Sequence, residues 1–278
     1  MIDLPLSPAV RCDGVVGANV PVSSGLYQLD LELTQAVDFQ PGQFAMLNLA
    51  GRESLVFSRP FSIYDADGNQ VSFLYRMVGR GTRAMGDLTV GALMTFLGPL
   101  GRPFPSPEAS LPVVLIAGGV GLPPLAAWLA RNGDHPTREI TAFFGARDGA
   151  DVPWDLLGDT WRVSVDSLRG VPDGQRAWEG VVTDLVASTE DLQDERARIV
   201  LACGPTPLLK AAGRLATARG WTCWLSLEEH MGCGYGVCKG CVVPVRDPSG
   251  GPGAWRNATC CEEGPVFKAD TLAWESQE

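Results

Sequence analysis

No apolar stretch of this 278-residue chain approaches the ~20 consecutive residues needed to cross a bilayer. The longest candidate, Leu111 to Ala130, is interrupted by Pro112, by three glycines and by Pro123-Pro124. The first residues, Met1 to Val10, lack the basic, apolar, small-residue order of a secretory leader, so a cytoplasmic location is expected. Positive charge is also short. Twenty-two Lys and Arg face 32 Asp and Glu, a formal net charge of −10. A nucleic-acid backbone is bound by a basic face, so that class of partner is not expected. There is no internal repeat and no low-complexity tract.

Cysteine, by contrast, is abundant for a chain from a reducing compartment. Of eight, five (Cys233, Cys238, Cys241, Cys260 and Cys261) fall in the last 46 residues. Clustered thiols in that setting read as metal or redox ligands before disulfides.

Three segments separate by pattern, and the fold class expected is multi-domain. Residues 1–105 carry short alternating runs (Tyr27–Leu33, Gln43–Leu49, Val71–Tyr75, Leu93–Leu97) split by turn signals, which suggests an antiparallel β-barrel. Arg102-Pro103-Phe104-Pro105-Ser106-Pro107 carries too much proline for a central strand or a helix and marks the first boundary. Residues 106–227 alternate strand and helix: Val113–Ala117, Pro124–Ala130, Ile140–Phe144, Trp161–Val165, Asp184–Ala187, Ile199–Cys203, Pro207–Ala218 and Thr222–Leu227. That pattern predicts an α/β domain with a parallel sheet. Residues 228–278 are too few for a core of their own and form a small metal-dependent module.

Cys233, Cys238 and Cys241 give C-x4-C-x2-C, the plant-type spacing for a 2Fe–2S cluster. Gly232, Gly234, Gly236 and Gly240 would let backbone N–H groups turn toward the anionic sulfurs. Structural zinc is the competing reading, but its ligands usually come as two separated pairs. Spacing leaves the fourth ligand open between Cys260 and Cys261. Cys12 and Cys223 read as packed thiols.

Two further signals concern organic cofactors. Arg59-Pro60-Phe61-Ser62, placed between barrel strands, offers a guanidinium for a pyrophosphate and a hydroxyl for a flavin edge. Leu74-Tyr75-Arg76 and Gly79-Arg80-Gly81-Thr82 follow, the latter a turn with donors for phosphate oxygens. The strand Val113–Ala117 then enters Gly118-Gly119-Val120-Gly121-Leu122-Pro123-Pro124. Gly119 would allow the turn, Gly121 would let a nucleotide approach, and proline suits the first turn of a helix. Cys203-Gly204 makes a second strand-to-helix turn. Arg147, near the end of the second parallel strand, is either a contact for a 2′-phosphate or a surface arginine.

With these residues in hand the chain resembles the ferredoxin–NADP reductase superfamily, and within it the electron-transfer subunits of type B dihydroorotate dehydrogenase. The resemblance rests on Arg59–Ser62, Leu74–Arg76, Gly79–Thr82, Gly98-Pro99-Leu100-Gly101, Gly119–Pro124, Cys203-Gly204, Cys233–Cys241 and the closing Cys261-Glu262-Glu263-Gly264-Pro265-Val266-Phe267. It implies that Arg59, Pro60, Phe61, Ser62, Leu74, Tyr75, Arg76, Gly81 and Thr82 hold FAD. It implies that Gly119, Gly121 and Cys203 border the nicotinamide of NAD, with Cys203 at the point of hydride exchange. It selects Cys261 over Cys260 as the fourth cluster ligand. It further implies an FMN-containing catalytic partner that oxidises dihydroorotate, in a heterotetramer. His230 departs from the arginine such subunits often carry. An NAD(P)H reductase subunit serving a hydrogenase, a sulfur reductase or a ferredoxin would use the same cofactors.

Overall fold

The computed structural model describes residues 7–49, 58–108 and 110–274. Its first unit is a closed barrel of β1 (Val10–Ser23), β2 (Leu26–Leu33), β3 (Phe44–Leu49), β4 (Arg59–Asp67), β5 (Gln70–Arg76) and β6 (Leu93–Leu100). The strands close in the order β1-β2-β5-β4-β3-β6, and closure leaves no open edge for another chain to pair with. The pattern is plain in β2, where Leu29, Leu31 and Leu33 are buried and Glu32 is exposed. A short helix, α1 (Arg80–Gly86), joins β5 to β6.

Two barrel elements differ from the sequence expectation. The long β1 was hidden because only Gly14 and Val16 of its 14 residues are buried, so no apolar alternation announces it. Arg59–Ser62 lies within a strand, not between strands: β4 pairs with β3 through Arg59↔Leu47 and Ser62↔Phe44. Pro60 is tolerated near the start of that strand, where few ladder bonds are required of it.

The second unit is a seven-stranded sheet. Its elements are β7 (Val113–Gly118), α2 (Leu122–Asn132), β8 (Ile140–Asp148), α3 (Trp154–Leu157), β9 (Trp161–Ser167), β10 (Ala177–Glu179), α4 (Val182–Ser188), β11 (Ile199–Cys203), α5 (Thr206–Ala218) and β12 (Thr222–Ser226). Strand order is β10-β9-β8-β7-β11-β12, all parallel, with one antiparallel strand added beyond β12. β7 is buried at all six positions, as a central parallel strand covered on both faces must be. The chain leaves β7 toward β8 on one side and returns as β11 on the other. The carboxyl ends of β7 and β11 therefore flank the crevice where open α/β sheets take ligands.

The C-terminal segment contributes β13 (Val242–Arg246), β14 (Trp255–Thr259), α6 (Cys260–Glu263) and β15 (Val266–Lys268). β13 and β14 form a hairpin, whereas β15 is the seventh strand of the sheet, antiparallel to β12. Val243, Val245, Ala258 and Cys260 share one apolar core with Val200, Leu225 and Phe267. The segment does without a core of its own by borrowing the sheet's. Arg102, in the proline-rich connection, is pinned by its N–H to the Gly264 carbonyl.

Candidate functional site

A cleft of about 680 Å³ opens between the barrel and the sheet. Arg59, Pro60, Phe61 and Ser62 of β4, Leu74, Tyr75 and Arg76 of β5, and Gly79, Arg80, Gly81 and Thr82 form its barrel wall. Val120, Gly121, Cys203 and Gly204 form the opposite wall. Residues 38 (Thr82 to Val120) to 145 (Arg59 to Gly204) positions apart in sequence are thus gathered on one cavity by the two-unit fold. Gly119 is not on the wall; at φ +53 it makes the turn that puts Gly121 there. Gly121 lies so close to β11 that a Cβ would sit 2.1 Å from the Cys203 carbonyl oxygen. Arg147 is exposed at the end of β8, off this wall.

Gly79–Thr82 forms the opening turn of α1, with Gly79 as its N-cap. The Thr82 hydroxyl accepts the N–H groups of Val78 (2.9 Å) and Gly79 (3.1 Å) and donates back to the Gly79 carbonyl. Its side chain thus shapes the helix start, and what this turn offers the cleft is backbone. A Cβ on Gly81 would lie 1.9 Å from Arg59 Nε, so glycine there leaves the guanidinium its place over the helix. Tyr75 is fully buried, its hydroxyl donating to Asn19 Oδ1 at 2.9 Å. Burial above all pushes that hydroxyl up to about 12. Tyr75 supports the wall with its ring, edge-on to Phe61 at 6.1 Å, while its hydroxyl is spent inside the barrel.

Cys203 ends β11 beside Ala117 of β7. Burial pushes its thiol up to about 12, against hydrogen bonds from Ser226 and Gly204 and with the help of the Glu228 charge. It is a neutral S–H at any physiological pH, suited to soft contact and unsuited to nucleophilic attack. Ser226 through Met231 also line the cleft. Sequence reasoning set His230 near the cysteine loop and missed this wall; the only signal was the position of Glu228-Glu229-His230-Met231 just after a strand end.

The cysteine loop packs against the barrel, where a Cβ on Gly234 would meet Met46 Cγ at 2.4 Å. Gly234 (φ +84) and Gly236 (φ +83) take the left-handed turns that aim backbone donors inward. Gly236 N–H donates to Cys261 Sγ at 3.1 Å, Cys238 N–H to Cys233 Sγ and Cys261 N–H to Cys241 Sγ, both at 3.4 Å. Cys233 feels burial first, yet the N–H groups of Cys238, Tyr235 and Val237 outweigh it and hold the thiol down at about 7. Side-chain contacts fall in pairs, Cys233 with Cys238 and Cys241 with Cys261. Among the described residues no three His, Cys, Asp or Glu side chains converge on one ion-sized point. Two thiol pairs side by side, each reached by backbone N–H groups, suit a two-iron cluster better than a single tetrahedral zinc. Cys260 is fully buried and turns its Sγ to the Leu227 carbonyl at 3.8 Å, away from this arrangement.

Comparison with known proteins agrees with this geometry. A family model described as the iron-sulfur cluster binding domain of dihydroorotate dehydrogenase B matches residues 228–273. The electron transfer subunit of dihydroorotate dehydrogenase B (NAD(+)) from Shouchella clausii is 37% identical over 82% of this chain and 84% of its own length. This chain belongs to that family of electron transfer subunits. The Listeria monocytogenes serotype 4b subunit is 34% identical over 91% of this chain and 94% of its own. Among solved structures, the NADH-dependent reduced ferredoxin-NADP oxidoreductase superposes with a TM-score of 0.77 at 23% identity, covering 95% of this chain and 90% of that one. A ferredoxin reductase in carbazole 1,9a-dioxygenase gives 0.67 at 22% identity, covering 78% and 68%. These structures share the barrel-plus-sheet fold of the family.

Proposed function

We propose that this dihydroorotate dehydrogenase B electron transfer subunit takes electrons from an FMN-bearing catalytic chain through a 2Fe–2S cluster and FAD, and delivers them to NAD+. The observation that carries the reading is the single cleft that joins the flavin-type barrel wall to the switch point of the nucleotide sheet. When bound, the flavin supplies the conversion between one-electron and two-electron traffic. The chain's own residues do the rest. Arg59 would offer charge-assisted hydrogen bonds to a pyrophosphate, the backbone of Arg80–Thr82 would add donors, and Ser62 would supply a hydroxyl for the ring edge. Gly121 admits the nucleotide to the backbone, and the neutral Cys203 thiol backs the nicotinamide without competing for its hydride. Cys233, Cys238, Cys241 and Cys261 would hold the cluster, with Cys238 exposed, Cys233 half-buried and Cys241 and Cys261 buried.

Tyr235 (54% exposed) and Val237 (73% exposed) stand out from the cluster loop as apolar contacts for the partner. The assembly proposed is a heterotetramer, with two such subunits flanking a dimer of catalytic chains in the cytoplasm. No helix among the described residues is long and apolar enough to cross a membrane. Co-expression with the FMN chain, followed by sedimentation and assay of dihydroorotate-dependent NAD+ reduction, tests the proposal. A stable complex that reduces NAD+ is expected. Chains that do not associate, with a flavin that dihydroorotate never reduces, would overturn it.

A further inference from the structure

The barrel and the sheet meet at one rim of the cleft through a compact set of bonds in which Arg76 is the one residue drawn from the flavin and nucleotide motifs. After β8 the chain makes a tight turn, Gly149–Asp151, stiffened by Asp148, whose Oδ1 accepts the N–H groups of Ala150 (3.1 Å) and Asp151 (3.2 Å). A Cβ on Gly149 would lie 2.2 Å from the Val171 nitrogen, so the turn is also held from behind. From the barrel, the β1–β2 corner reaches this turn. Ser24 N–H donates to the Ala150 carbonyl and Ser23 Oγ to the Asp151 carbonyl, each at 2.9 Å. Arg76, the last residue of β5, completes the joint: its Nη1 donates to Asp151 Oδ1 at 3.1 Å and to the Ser24 carbonyl at 3.4 Å. The side chains are only 29% and 16% exposed, so the pair is partly shielded from water.

Arg76 is at the same time a wall residue of the cleft. One guanidinium therefore touches the sheet through Asp151 and the cavity where the barrel must hold its cofactor. We propose that Asp151 is a positioning residue for hydride exchange: through Arg76 it sets the spacing between the flavin wall and the nucleotide wall. This rests on the reading that FAD and a nicotinamide nucleotide meet in this cleft. The chemistry it serves is balanced without it. NADH gives up a hydride, two electrons with one hydrogen nucleus, to become NAD+, and the oxidised flavin receives it. Asp151 itself is not on the cleft wall. What it governs is distance, and hydride transfer needs near-contact of donor and acceptor, so a shift of about 1 Å is enough to cost ~10-fold or more.

A carboxylate-to-amide change keeps the shape and removes the charge. In the full-length, cofactor-loaded chain, Asp151→Asn is expected to lower the limiting rate of flavin reduction by NADH about tenfold. The apparent NADH Kd and the FAD content should stay near native. The long-wavelength charge-transfer absorbance of nicotinamide stacked on flavin should weaken in parallel, a signal that loss of bulk stability would not move. Asp151→Glu, which keeps the charge, should recover part of both. Arg76→Lys combined with Asp151→Asn should be no slower than Arg76→Lys alone, because both changes break one link. Native rate and native charge-transfer band in Asp151→Asn would overturn the proposal, as would losses that multiply in the double variant. A native chain whose flavin NADH fails to reduce would instead sink the functional reading beneath it.

Discussion

Cys203 in the cleft and Cys233 in the cysteine loop are treated in opposite ways, although Cys261, deeper in the cluster site, is itself pushed up to about 12 by burial. At the end of β11, burial outweighs the hydrogen bonds that Ser226 and Gly204 give Cys203 and holds its proton on up to about 12. In the loop, Cys233 is reached by the N–H groups of Cys238, Tyr235 and Val237, and its proton comes off near 7. Both sites are built by glycine, but for different ends. In the loop, left-handed glycines turn amides toward sulfur; in the cleft, Gly81 and Gly121 clear space so that side chains and ligands can approach backbone. A region that must hold metal supplies donors to thiolates, and a region that must hold flat organic rings supplies room and neutral surface.

The largest expected effect breaks the loop. Cys261→Ser should abolish the paramagnetic signal of the reduced cluster or shift it strongly, since Cys261 sits against Cys241 and accepts the Gly236 N–H. Cys260→Ala should leave the signal intact, because its Sγ already faces the Leu227 carbonyl. A lost signal in the second variant and a normal one in the first would reverse the assignment.

On the cleft side, Gly81→Ala forces Arg59 to move, for a Cβ there would stand 1.9 Å from its Nε. The guanidinium is a flexible group that can swing away, so the barrel should fold while FAD affinity falls at least about tenfold, ~1.4 kcal/mol. Titration of the stripped protein with FAD measures it, and native affinity would remove Arg59 from the site.

Much of this was legible in advance, for identifiable reasons. The central strands β7 and β11 of the parallel sheet are continuous apolar runs, so Ile199–Cys203 could be read to the residue. The C-x4-C-x2-C spacing of Cys233, Cys238 and Cys241 is local and chemical, hence visible without a fold. What escaped depends on contacts made at a distance. β1 carries almost no burial pattern. β15 joins the sheet only because the C-terminal segment folds back on β12. The Thr82 hydroxyl reads as a phosphate donor until the Gly79 turn claims it. Arg76 reads as a flavin residue until Asp151, 75 positions away, is seen to share it.

A smaller effect sharpens the contrast at Cys203. A thiol that keeps its proton to about 12 cannot make flavin reduction by NADH titrate between pH 6 and 9. Cys203→Ala should slow that step by about tenfold through lost contact alone, with FAD content unchanged. Cys203→Ser, which keeps a small neutral donor, should be less affected. Rates that rise with a thiol-like midpoint in the native chain and lose it in Cys203→Ala would assign the residue a thiolate role instead.

The smallest effect tests whether burial alone governs the thiols outside the loop. Cys223, on β12 and 5% exposed, has its thiol pushed from 9.0 up to about 12, chiefly by burial and further by the charge of Asp270. Below pH 9 the folded and unfolded chains both keep this proton, and stability does not depend on it. Between 9 and about 12 the unfolded chain releases the proton and the folded chain does not, so rising pH favours unfolding. Each such thiol can contribute a slope of up to ~1.4 kcal/mol per pH unit in that window, flattening once the folded value is passed. Cys223→Ala removes one slope at the cost of a small cavity, about 1 kcal/mol at neutral pH. Urea unfolding of the two proteins from pH 8 to 11 should therefore show the variant weaker at pH 8 and the gap closing as pH rises. Curves that stay parallel would mean that the folded protein lets Cys223 ionise as readily as the open chain does. The sheet would then share the capacity to stabilise thiolate that the loop shows at Cys233, and the contrast would rest on Cys203 alone.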